Sequence, residues 1–102
     1  MMDLTLRTPH EVVKFLCERL RKERIAHNMT QAEVAARAGV GVNTVSNLES
    51  GKNVGFENVV SVAITLGRMK DLEELFKPQF ESLDDILHYE QNVNRQRIKK
   101  KS

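Results

Sequence analysis

The sequence has few of the residues and segments that several classes of protein require. Cys17 is the single cysteine among 102 residues, so the chain can form neither an internal disulfide nor a cysteine zinc site. No stretch approaches the roughly 20 apolar residues of a membrane span, and the first ten residues, MMDLTLRTPH, contain no apolar run. We therefore expect no membrane insertion, no secretory signal and a cytoplasmic location.

Patterns typical of catalysis and metal binding are also missing. The three histidines, His10, His27 and His88, do not share the spacing of metal ligands. No Ser/His/Asp set, Cys/His pair, buried carboxylate pair or glycine-rich phosphate loop is recognisable in the sequence. These observations predict that the protein is not an enzyme and that it uses neither a metal nor a cofactor.

Charge is distributed unevenly along the chain. Residues 1–69 carry nine basic and seven acidic side chains. Residues 70–91 carry two basic and seven acidic side chains, and residues 92–102 carry five basic side chains and no acidic ones. This charge pattern divides the chain into a near-neutral body, an acidic segment and a basic end. We expect a domain at residues 9–77, an acidic helical extension at 78–91 and a basic tail without fixed structure at 92–102.

Helix start and stop signals divide the chain into short helices. Thr8 with Glu11 forms a capping box before an apolar pattern that runs to residue 26 or 27 and directs Val12, Val13, Leu16, Cys17 and Leu20 inward. A second capping box, Thr30 with Glu33, opens a helix that Gly39 ends. Further helices are predicted at residues 42–49, 56–66, 71–76 and 82–90. No strand alternation is visible, so we predict an all-α fold of five helices with a helical extension.

The second and third predicted helices are joined by the tight turn Gly39-Val40-Gly41, which is typical of a helix-turn-helix. Helical periodicity turns Val45 and Leu48 inward. The outward positions are small and uncharged, which lets a helix approach base edges in the major groove of DNA. Asparagine can pair with adenine, and a valine or threonine methyl can contact thymine. The predicted base-facing residues are Val42, Asn43, Thr44, Ser46 and Asn47.

Phosphate contacts must come from the surroundings of the third helix, because that helix carries no lysine or arginine. Gln31 begins the second helix, where free backbone N–H groups favour an anion. Lys52 and Asn53 follow the third helix and lie where the other DNA strand is expected. Arg24 falls on the apolar face of the first helix and therefore needs a partner, for which Glu49 is the candidate.

Residues 15–67 resemble the Cro/cI-type (XRE) helix-turn-helix family of phage repressors and bacterial regulators. The resemblance implies a lambda-repressor-like arrangement of five helices and an Arg24–Glu49 pair. It also implies base contacts from positions 42, 43, 44 and 47 and phosphate contacts from positions 31, 52 and 53. Val42 departs from several phage repressors, which have glutamine there. The residues that carry the resemblance are Leu20, Arg24, Met29-Thr30-Gln31, Glu33-Val34-Ala35, Gly39-Val40, Thr44-Val45-Ser46, Leu48-Glu49 and Ser50-Gly51-Lys52.

The flanking segments suggest a narrower group within this family. The stretches LTLRTPHEVVKFLCERLRKERI, RMKDLEELFKP, ESLDDIL and RQRIKKK resemble small HipB-like regulators that are paired with HipA-type kinase toxins. That resemblance implies an antitoxin which binds its toxin and represses their shared operon as a homodimer. Two alternatives are a stand-alone or phage-type repressor, and an interaction adaptor that does not read DNA.

The last third of the sequence supplies two further expectations. Its apolar residues exceed what the domain needs and offer a dimer interface, formed by Leu72, Leu75, Phe76, Phe80, Leu83, Ile86 and Leu87. The acidic segment should face away from DNA. The basic tail is a solubilising end, an aid in holding DNA or a contact for a partner, and we expect it to contact phosphate when DNA is bound.

Overall fold

The computed structural model describes residue 5 and residues 7–95, and within this part of the chain every regular element is a helix. This confirms the predicted all-α class. The basic tail lies outside the described residues from residue 96 onward. The six helices are α1 (Pro9–Ala26), α2 (Gln31–Ala38), α3 (Val42–Glu49), α4 (Phe56–Thr65), α5 (Met69–Glu74) and α6 (Leu83–Val93).

Local capping explains where α1 and α2 begin. The Thr8 hydroxyl accepts from the Glu11 N–H at 3.2 Å, and the Glu11 carboxylate accepts from the Thr8 N–H at 3.0 Å. Thr30 and Glu33 form the same reciprocal pair at 3.0 and 2.9 Å. Each pair satisfies donors that the first helical turn leaves without an intrahelical acceptor. The two predicted capping boxes are thereby confirmed.

The predicted bounds of the later helices need correction. α4 ends at Thr65, one residue early, and α6 continues three residues past the expected position 90. α5 begins and ends two residues before the predicted 71–76. Its first turn starts early because the Arg68 carbonyl accepts from the N–H groups of Asp71 and Leu72. It also stops early, because Leu75 is extended and Phe76 is left-handed, with φ +57°.

The core lies where α1, α2, α3 and α4 meet. Burial confirms Cys17 as a core residue, and the loss of solvation raises the pKa of its thiol. Leu16 was expected inward but is 46% exposed. The stripe of α1 that packs on the core is Val13, Cys17 and Leu20, and Leu16 lies at its edge. The buried apolar residues are Cys17, Val34, Ala35, Val45, Leu48, Val62, Ala63 and Leu66.

The segment after α5 has a different character. We call residues 76–95 the C-terminal arm. In the described structure Ile86 is the half-buried residue of this arm, and its other residues are exposed. Phe80 and Tyr89 contact each other edge to face, with ring centroids 5.3 Å apart, so α6 is held mainly to its own leading segment. None of the described helices is both long and apolar enough to cross a membrane.

Candidate nucleic-acid interface

The turn between α2 and α3 fixes the direction of α3. Gly39 adopts φ +72°, a left-handed conformation that glycine reaches without steric cost, and the Val40 N–H donates to the Ala35 carbonyl at 3.0 Å. Gly41 is extended and directly precedes α3. Ala35 is buried, and its small side chain permits α2 and α3 to cross closely. The two helices therefore form a helix-turn-helix whose turn is closed by a backbone hydrogen bond.

The sides of α3 differ sharply. Val45, Leu48 and Glu49 are buried, whereas Asn43 and Ser46 are exposed and Val42 is 45% exposed. Thr44 and Asn47 are half-buried, at the border of the exposed side. No residue from 42 to 48 is charged, so no long side chain keeps the exposed side at a distance from a DNA groove. Hydrogen-bonding and methyl groups are both available there for contact with base edges.

Arg24 and Glu49 form a two-pronged ion pair that joins α1 to the end of α3. Arg24 Nε lies 2.6 Å from Glu49 Oε2, and Arg24 Nη2 lies 3.0 Å from Oε1. The side chains are only 12% and 4% exposed. The hydrogen bond with Glu49 raises the pKa of Arg24, against the opposing effect of burial. Arg24 Nη1 also donates to the Met29 carbonyl at 2.8 Å, so the same guanidinium holds the loop before α2.

Gln31 has a contact that sequence reasoning missed. Its Nε2 donates to Glu49 Oε1 at 2.9 Å, and the residue is half-buried. Gln31 therefore extends the Arg24–Glu49 pair to the start of α2. The amide has a second N–H and a carbonyl oxygen, and the first turn of α2 also presents backbone N–H groups. An anion at this helix start remains compatible with the hydrogen bond to Glu49.

Lys52 and Asn53 lie in a short loop that is ordered by backbone hydrogen bonds. The Gly51 N–H donates to the Leu48 carbonyl at 2.9 Å, and the Lys52 N–H donates to the Asn47 carbonyl at 2.8 Å. Gly51 and Asn53 both have positive φ, +75° and +48°. Lys52 and Asn53 are exposed. The loop therefore presents them directly beyond the C-terminal end of α3.

The structure brings several of these residues together along one open groove between α1 and α3. We call it the α1–α3 groove. Gln31, Ser46, Glu49 and Lys52 line it, whereas the residues of the first turn of α3 do not. The wall contributed by α1 was missed from the sequence, although positions 11, 14, 18 and 21 follow helical spacing and are all charged.

In the described residues, no group of three His, Cys, Asp or Glu side chains is arranged to hold a metal ion.

Comparison with known proteins identifies the family. No curated protein matches the sequence. The sequence model of the helix-turn-helix family matches residues 20–75, which run from the second half of α1 to the end of α5. This match covers more than half of the 102 residues. The chain therefore belongs to the Cro/cI-type helix-turn-helix family of DNA-binding transcription regulators.

Proposed function

We propose that this protein is a sequence-specific transcriptional repressor that reads its operator with α3. The observation that carries the proposal is the contrast within α3. One side is buried and tied to α1 through the Arg24–Glu49 pair, and the other is exposed, uncharged and rich in small polar groups. A helix that is packed against the core on one side and carries small polar side chains on the other suits the major groove of B-DNA.

Individual roles follow from residue chemistry. Asn43 and Asn47 would pair with base edges, with Ser46 as an additional hydrogen-bonding group. Val42 and Thr44 would offer methyl groups to thymine. Gln31, Lys52 and Asn53 would hold phosphates on either side of α3, which sets the register of the protein on DNA without reading sequence.

We also propose that the repressor is a homodimer. A single short α3 offers few base contacts, and each good pair supplies only about 1–3 kcal/mol of discrimination. Two half-sites about one helical turn apart would supply the remainder. Support comes from the apolar side chains of the arm, because Phe76 is 87% and Leu83 is 71% exposed. In this proposal residues 9–77 form a lambda-repressor-like DNA-binding unit, and residues 78–91 contribute to the interface.

A narrower proposal is that the protein is the antitoxin of a HipA-type kinase toxin and represses the operon of the pair. It rests on the resemblance of the flanking segments and on an arm that is both acidic and apolar. The arm fits a protein partner better than it fits DNA. A repressor without a toxin would use the same arm only for dimerisation. Co-expression with the neighbouring reading frame, followed by co-purification, distinguishes the two.

The proposed DNA binding is tested by fluorescence anisotropy with two duplexes of equal length. One carries the promoter region of the protein's own gene, and the other has a shuffled sequence. We expect the promoter duplex to bind about 10³-fold more tightly or better at physiological salt. Equal affinity for both duplexes would reject a sequence-specific repressor. No binding to either would favour an adaptor. Light scattering on the promoter complex measures whether two copies bind.

A further inference from the structure

The α1–α3 groove has an uneven charge balance. Arg7 Nη1 lies 3.5 Å from Glu11 Oε2, and Arg21 Nη1 lies 3.1 Å from Glu18 Oε1, so these two arginines are paired within α1 and its lead-in. Glu49 is paired with Arg24. Two further cations line the groove, Lys14 from α1 and Lys52 from the loop after α3. Among the described residues neither has a carboxylate within 4.0 Å.

Gly51 brings these two lysines to the same place. A Cβ atom built on Gly51 would lie 3.3 Å from Lys14 Cα and Cβ and 3.4 Å from Cγ. The stem of Lys14 therefore lies directly against the backbone of the residue that precedes Lys52. Both lysines are exposed. An aliphatic stem that packs on the protein leaves its ammonium group free to reach solvent or a ligand.

The groove also runs beside the C-terminal half of α3, and Ser46 of that helix and Ser50, directly after its end, both line the groove. When a helix lies in the major groove, phosphates of the two DNA strands border it on both sides. With α3 in the major groove as proposed, the α1–α3 groove would face one such phosphate row. The ammonium groups of Lys14 and Lys52 have the charge that is complementary to phosphate.

We propose that Lys14, together with Lys52, binds DNA backbone phosphates that border the major groove on the α1 side of α3. This inference rests on the proposed DNA-binding function and extends the interface to α1. Gly51 acts as a positioning residue, because its missing side chain allows the Lys14 stem to approach the loop. The contacts are to phosphate, so they add affinity for any DNA sequence and do not select bases.

The test measures binding of Lys14→Ala to the promoter duplex and to the shuffled duplex across a range of salt concentrations. The expected result is weaker binding to both duplexes by a similar factor. The slope of log K against log salt should become shallower by about 0.9 for each phosphate contact that the variant loses. If two copies of the protein bind one duplex and each loses one contact, the change should be about 1.8. Lys14→Arg should restore most of the affinity, because a guanidinium also binds phosphate.

Lys22→Ala is the matched control, since it removes the same charge from an exposed site on α1 that does not line the groove. An unchanged salt slope for Lys14→Ala, while the wild-type protein binds its promoter, overturns this inference and leaves the proposed function standing. An equal loss of affinity in Lys22→Ala also overturns it, because the effect would then reflect net charge. If the wild-type protein binds neither duplex, the proposed function fails and the inference fails with it.

Discussion

The body of the protein, α1–α5, and its C-terminal arm both consist mainly of helices, but the two use their apolar residues differently. The body buries Val34, Val45 and Leu48 almost completely. The arm has a comparable supply of large apolar side chains and leaves nearly all of them in solvent. A helical pattern in the sequence therefore indicates an amphipathic helix without showing whether the same chain covers its apolar side.

The two regions also differ in how their helices are stabilised. α2 and α3 have only eight residues each and depend on packing against the core. α6 has eleven residues, short of the length at which isolated helices persist in water. Its local support is the Ser82 cap, acidic residues in the first turn and the Phe80–Tyr89 contact. We infer that the arm gains most of its stability when it binds another surface.

The largest expected difference concerns removal of a carboxylate from each region. Glu49→Ala leaves Arg24 nearly buried without its partner, so the free energy of unfolding should fall by about 3–5 kcal/mol. Glu90→Ala removes an exposed carboxylate from α6 and should change the free energy of unfolding by less than about 0.5 kcal/mol. Urea denaturation of both variants measures the difference. A Glu49→Ala protein as stable as the wild type would refute a structural role for the pair.

Leucine truncation gives the second comparison. Leu48→Ala opens a cavity in the core and should cost about 2–5 kcal/mol. Leu83→Ala, at an exposed site in the arm, should change the free energy of unfolding by about 0.5 kcal/mol or less at concentrations where the protein is monomeric. The same substitution should weaken the proposed dimer, which sedimentation at rising concentration measures. Similar losses from both variants at low concentration would show that the arm packs on the body.

Removal of a helix cap gives the third comparison between the body and the arm. The Thr30 and Ser82 hydroxyls each accept from the N–H three residues later. Thr30→Ala should lower the global free energy of unfolding by about 1 kcal/mol. Ser82→Ala should instead fray α6, which lowers its helicity and leaves the unfolding midpoint of the body unchanged. Far-ultraviolet circular dichroism combined with denaturation measures both effects, and a shared midpoint shift would contradict the separation.

The smallest expected effect is sensitivity to acid. Hydrogen bonds from the Thr30 backbone and side chain lower the pKa of Glu33 below its ordinary value of 4.5. A group with a lowered folded-state pKa stabilises the fold above its unfolded-state pKa, and the stabilisation is lost as pH falls through the folded-state value. Glu33→Gln should therefore show a shallower loss of melting temperature on acidification. An identical acid profile in the variant would exclude this contribution.

Sequence reasoning succeeded where a structural feature depends on near neighbours. The capping boxes, the left-handed Gly39 and the burial of Val45 and Leu48 follow from spacings of a few residues. It failed where distant segments meet, as in the hydrogen bond from Gln31 to Glu49 and the packing of Lys14 on Gly51. The early end of α5 was missed for a related reason. Leu75 and Phe76 continue a helical apolar pattern, but the fold leaves their side chains 43% and 87% exposed.

The central claim is that the exposed side of α3 reads DNA, and Asn43→Ala tests it most directly. Asn43 is exposed and does not contribute to the core, so the variant should fold and melt like the wild type. We expect its affinity for the promoter duplex to fall about 5- to 150-fold for each lost contact, which corresponds to roughly 1–3 kcal/mol of base discrimination, with little change in affinity for the shuffled duplex. Unchanged promoter affinity, or an equal loss on both duplexes, would contradict base reading by α3.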